Sequence, residues 1–116
     1  MKYNFTFNTL SFGDPVIYGK GKLEEFISVF LRNWNTIYDI ETLEEYLEII
    51  YNDNTDHEDY LEILEHGIYD DVHSSLFFYD KEISILFNND MSERITIIDF
   101  KEIVSEWKLF VESCSV

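Results

Sequence analysis

Between Asn33 and Asp80 the chain contains neither lysine nor arginine, although that stretch of 48 residues holds 14 aspartates and glutamates. Almost the whole formal charge of −16 therefore sits in one window, because the residues before it sum to +1 and those after it to −3. Other scarcities narrow the field further. One proline and four glycines leave no room for a flexible linker, so residues 1–116 are expected to form a single domain, long enough to bury roughly two-thirds of its unfolded surface. A lone cysteine, Cys114, excludes an internal disulfide and fits a reducing compartment. No apolar run approaches the ~18 residues that cross a bilayer. The opening MKYNFTFNTL alternates polar and apolar residues and lacks the unbroken apolar core of a signal peptide, so a cytoplasmic protein is expected. With so few cations, direct binding to nucleic acid or to an anionic membrane is not expected, since phosphates would go unneutralised.

High charge predicts disorder only when apolar residues are scarce, and here 46% of the chain is hydrophobic and 17% aromatic. The chain should fold. Tyr3, Phe5 and Phe7 alternate with Asn4, Thr6 and Asn8, as on a half-buried strand, and Phe12-Gly13-Asp14-Pro15 is a turn leading to a second strand at Val16 to Gly19. A helix is expected from Lys22 to Trp34, where Leu23, Phe26, Ile27, Phe30, Leu31 and Trp34 recur at helical spacing. Thr42-Leu43-Glu44-Glu45 reads as a capping box opening a second helix, with Leu43, Tyr46, Leu47 and Ile50 inward. Thr55-Asp56-His57-Glu58 reads as another, opening a third helix with Tyr60, Leu61 and Leu64 on its apolar face and Gly67 as its stop. Residues 57–66 also fit a strand. Ser75 to Tyr79 and Glu82 to Phe87 suggest a second hairpin, followed by a short strand near Arg94-Ile95. Thr96-Ile97-Ile98-Asp99 caps a final helix to Ser113, with Phe100, Ile103, Val104, Trp107, Phe110 and Val111 facing a core. The expected class is α+β: an antiparallel sheet built from two hairpins, with about four helices packed against it.

Catalytic and metal motifs are missing. Counted from Asp53, an EF-hand needs glycine at its sixth position and glutamate at its twelfth, and the chain has Glu58 and Leu64 there. His57-Glu58 starts a zincin pattern, but Leu61 stands where the second histidine belongs. His57, His66 and His73 lack neighbouring ligands, no serine sits in a nucleophile elbow, and Gly19-Lys20-Gly21-Lys22 has neither nucleotide-loop spacing. No metal, cofactor or enzymatic activity is expected.

What remains is the acid itself. Concentrated like-charge repulsion works against the compact state, so a basic partner is the natural reason for it. Glu44, Glu45, Glu48, Asp53, Asp56, Glu58, Asp59, Glu62, Glu65, Asp70 and Asp71 are the expected partner-binding carboxylates, with Tyr51 and Tyr69 at the edges of the acidic helices as amphipathic anchors.

The acidic segments 42–48 and 56–62, with the closing Thr-Ile-Ile-Asp-Phe-Lys-Glu-Ile-Val-Ser-Glu-Trp-Lys-Leu-Phe, resemble the acidic immunity proteins of bacterial toxin systems, including contact-dependent inhibition. That resemblance implies an antitoxin-like inhibitor of a cognate, basic, nuclease-type toxin domain. The alternative is a nucleic-acid-mimicking inhibitor from a phage or mobile element, of the anti-restriction or anti-CRISPR kind. A third reading, an adaptor whose acidic face is merely solvated, predicts binding with little dependence on salt.

Overall fold

The computed structural model describes residues 3–10, 13–69, 74–87 and 91–114, and the side chains of Tyr69, Leu86, Phe87 and Met91 lie outside what is described. The fold is α+β, as expected from the sequence. Its order is β1 (Phe5–Thr9), β2 (Pro15–Gly19), α1 (Lys22–Leu31), α2 (Ile37–Tyr51), α3 (Tyr60–His66), β3 (Ile68–Tyr69), β4 (Ser74–Tyr79), β5 (Glu82–Phe87), β6 (Met91–Thr96) and α4 (Ile97–Cys114). The two expected hairpins stand in separate antiparallel sheets: β1 pairs only with β2, while β3-β4-β5-β6 form the second sheet in sequence order. The expected short strand at Arg94-Ile95 runs along all of β5, and the two-residue β3 adds an edge that the sequence did not suggest.

One face of the larger sheet makes half of the core. Ile68 pairs with Leu76, Leu76 with Ile85, Phe78 with Ile83 and Ile83 with Ile95, and all of these side chains are buried. Helix α1 packs across this face through Phe26, Ile27, Phe30 and Leu31. The β1–β2 hairpin covers α4, with Phe7 lying 6.0 Å from the Trp107 ring and 5.5 Å from Phe110, and with the Tyr3 hydroxyl donating to Asp99 at 3.1 Å. Helix α2 packs on α4 through Ile40, Leu43, Leu47 and Ile50. Among the described residues no helix is long and apolar enough to cross a membrane.

Three boundaries differ from expectation, each for a local reason. Helix α1 ends at Leu31 instead of Trp34, because the chain turns there and presents the Trp34 carbonyl to the indole N–H of the fully buried Trp107 at 2.7 Å. Helix α2 starts at Ile37, six residues before Leu43. Its cap is Thr36, whose hydroxyl accepts the Asp39 amide at 3.1 Å, and Thr42, already inside the helix, donates to the Tyr38 carbonyl. Residues 55–59 form successive turns, and α3 begins only at Tyr60 with no side-chain cap, so Thr55 opens nothing. The segment is a helix and not a strand. Its inward residues are Ile63 and the half-buried Tyr60, whereas Leu61 and Leu64, expected inside, are 63% and 40% exposed. Gly67 ends it at φ +74, where a Cβ would also collide with the Leu76 carbonyl oxygen.

Candidate functional site

The fold divides the acidic window into two unlike surfaces. On α2 the carboxylates are met by lysines from elsewhere in the chain. Lys108 of α4 lies 3.2 Å from Glu44 and 3.4 Å from Glu41, Lys101 pairs with Glu48, and Lys81 of the β4–β5 turn lies 3.3 Å from Asp53. These contacts are physically coherent. The hydrogen bond from Lys101 holds the Glu48 carboxyl below the ordinary glutamate value against the opposing effect of burial, with a lesser contribution from Asn52, and the hydrogen bond to Glu44 holds the Lys108 ammonium above its own. Tyr51 belongs to the same network. Lys81 and Lys101 each stand 5.0 Å from its ring centre, and Lys81 also donates to its carbonyl. The ring is packed partly against the core and occupied by the protein's own cations.

The two arginines repeat the theme. Arg32 donates to the Ile17 carbonyl at 3.0 Å and covers Tyr18, while Arg94 covers Tyr79 and lies 3.6 Å from Glu82. These five cations help to hold the sheets and α2–α4 together.

Residues 56–65 receive none of them. Among the described residues no lysine or arginine pairs with Asp56, Glu58, Asp59, Glu62 or Glu65. Of these, Asp56, Glu58, Glu62 and Glu65 are exposed, and Asp59 is half-buried. His57 joins the two surfaces: its Nε2 lies 3.6 Å from Glu45, and its Nδ1 accepts the Asp59 backbone N–H at 3.0 Å. A nitrogen that accepts that bond carries no proton of its own, so the 4.0 Å approach of Asp59 Oδ2 to Nδ1 is not an ion pair. Leu61 and Leu64 stand among these carboxylates, giving the surface an apolar centre and an anionic surround.

Two concavities lie along the acidic window. An open depression of about 460 Å³ lies over the α2 C-terminus, lined by Glu45, Glu48, Asp53, Asp56 and His57 among others. A smaller cleft of about 310 Å³ is formed by Trp34, Tyr46, Asp59, Glu62, Ile63, Gly67 and Ile68. Among the described residues no group of three or more His, Cys, Asp or Glu side chains is arranged to hold a metal ion.

Of the residues expected at the partner surface, Asp56, Glu58, Asp59, Glu62 and Glu65 are therefore brought together without a lysine or arginine partner. Glu44, Glu48 and Asp53 are paired internally, and Glu45 faces His57. The side chain of Tyr69 and all of Asp70 and Asp71 lie outside the described residues, as do the expected turn residue Phe12 and His73. Reading the sequence missed Leu61, Leu64 and Trp34 as surface features. A signal for the leucines was present: Tyr60, Leu61, Ile63 and Leu64 are too many apolar residues for one face of a two-turn helix. Comparison with known proteins found no family model, no curated protein and no solved structure that matches this chain.

Proposed function

We propose that the chain is a cytoplasmic, non-catalytic immunity protein that neutralises a cognate basic toxin domain of the nuclease type by docking through the surface centred on α3. The observation that carries this reading is the set of carboxylates at 56–65, left without lysine or arginine partners among the described residues and arranged around Leu61 and Leu64. A nuclease must carry lysines and arginines to hold its substrate, and an opposed anionic surface steers association toward ~10⁸ M⁻¹s⁻¹ or faster at low salt. Presenting the charges on an ordered helix avoids the ordering cost that a floppy acidic tail would incur on binding. The exposed leucines favour a protein-specific inhibitor over a nucleic-acid mimic. They offer the buried apolar anchor that a protein interface uses, while a surrogate for a phosphate backbone gains nothing from them.

The test is stopped-flow association with the basic nuclease domain encoded by a neighbouring reading frame, read alongside protection of its substrate. Reversing Glu58, Glu62 and Glu65 to lysine is expected to leave the melting curve nearly unchanged and to slow association at least tenfold at low salt. An on-rate indifferent to both the substitutions and added salt would refute the proposal.

A further inference from the structure

The smaller cleft differs in kind from the open depression beside it. Most carboxylates of the depression already face a lysine or His57, and its wall is largely polar. The cleft is walled by aromatic and aliphatic side chains, Trp34, Tyr46, Ile63 and Ile68, and carries two carboxylates, Asp59 and Glu62, with no lysine or arginine partner among the described residues. Those two are three positions apart at the start of α3, so they stand on one side of the helix. Trp34 is positioned from behind. Its ring stacks on Phe30 at 5.7 Å and 26°, its carbonyl accepts from Trp107, and its own buried indole N–H meets no acceptor among the described residues.

Aromatic walls with paired anions are the environment that a guanidinium satisfies better than any other side chain. Its flat cation stacks on a ring face, its apolar stem lies along aliphatic groups, and its forked N–H donors reach two carboxylates at once. At about 310 Å³ the space lies at the bottom of the range of small-molecule sites, enough for one long side chain but small for a cofactor. Resting on the proposed function, we infer that the cleft between Trp34, Tyr46 and the start of α3 receives one arginine side chain of the basic partner, fixing the register of the complex while the outer carboxylates of α3 supply attraction. A lysine fits less well, because a compact ammonium neither stacks nor forks.

The inference is tested with short probes. The tripeptide Ac-Gly-Arg-Gly-NH2 is titrated into the ¹⁵N-labelled protein while the two indole N–H resonances are followed, beside the same peptide carrying lysine or citrulline, the latter a neutral near-isostere of arginine. The arginine peptide is expected to shift the Trp34 resonance saturably, with the lysine peptide weaker and the citrulline peptide at least tenfold weaker. Asp59→Asn combined with Glu62→Gln should abolish the shift, whereas Glu41→Gln on α2 should leave it unchanged. Equal binding of the citrulline peptide, or a shift indifferent to the double substitution, overturns the inference. If the arginine peptide leaves Trp34 untouched while the basic nuclease still associates in a salt-dependent way, the cleft assignment falls and the proposed function stands; if neither associates, both fall.

Discussion

Helices α2 and α3 are drawn from the same acidic window, yet the rest of the chain treats them in opposite ways. Helix α2 lies on α4, whose Lys101 and Lys108 reach Glu48, Glu44 and Glu41, and the β4–β5 turn brings Lys81 to Asp53. Helix α3 packs on the sheet edge and on α2, where no lysine or arginine of the described residues reaches its carboxylates. The apolar residues divide in the same way: Leu43 and Leu47 of α2 are fully buried, and Leu61 and Leu64 of α3 are not. A run of like charge in a sequence is therefore not yet a charged surface. Whether it becomes one depends on which distant cations the fold delivers to it.

The largest test of this contrast lies in the leucines. Leu47→Ala should cost about 2–5 kcal/mol, because it opens a cavity between α2 and α4, whereas Leu61→Ala should change stability by no more than about 0.5 kcal/mol. Denaturant unfolding of both variants checks this, and a large loss at Leu61 would mean that α3 is packed and not displayed. Next in size is the joint between α3 and β3. Gly67→Ala should cost about 1–3 kcal/mol through its positive φ and the approach to the Leu76 carbonyl, lowering the melting temperature and loosening α3 in hydrogen exchange.

Charge reversal sharpens the comparison further. Glu44→Lys with Glu48→Lys would set like charges against Lys108 and Lys101 and should register mainly as lost stability, while the same reversal at Glu58 and Glu65 should register mainly in association rate. Measuring both quantities for both pairs separates the two surfaces, and identical profiles would erase the distinction. The smallest effect concerns pH. Because the Glu48 carboxyl is held below its ordinary value of 4.5, its pairing with Lys101 adds stability that is fully present above that pH and fades as the solution is acidified through the lowered value. Lys101→Met should thus cost up to about 1 kcal/mol at neutral pH, as an exposed pair does, and approach the parent protein in acid. Thermal melts at pH 7 and pH 3 measure the difference.

Much of the fold was legible because its signals are short-range. Alternation at Tyr3, Phe5 and Phe7 specified a strand with one inward face, and Thr96-Ile97-Ile98-Asp99 specified the start of α4, where the Asp99 amide does reach the Thr96 hydroxyl at 3.1 Å. The start of α2 lies upstream of the expected capping box at Thr42. Thr36-Ile37-Tyr38-Asp39 repeats the α4 pattern with the same 3.1 Å cap, but Thr42-Leu43-Glu44-Glu45 carries the more favoured glutamate and drew the boundary inward. The exposed leucines of α3 were hidden for another reason. Spacing alone cannot rank four apolar residues in two turns, and only contact with the sheet selects Ile63.

By itself the sequence determined most element types, though neither β3 nor the choice of helix at Tyr60–His66, together with the single anionic window and the absence of catalytic motifs, since these follow from composition and from patterns within a few residues. Tertiary structure alone decided which carboxylates stay unpaired and which apolar side chains line a cleft. Lys81, Lys101 and Lys108 lie tens of residues from the acids they meet, and electrostatic pairing acts across space and not along the chain.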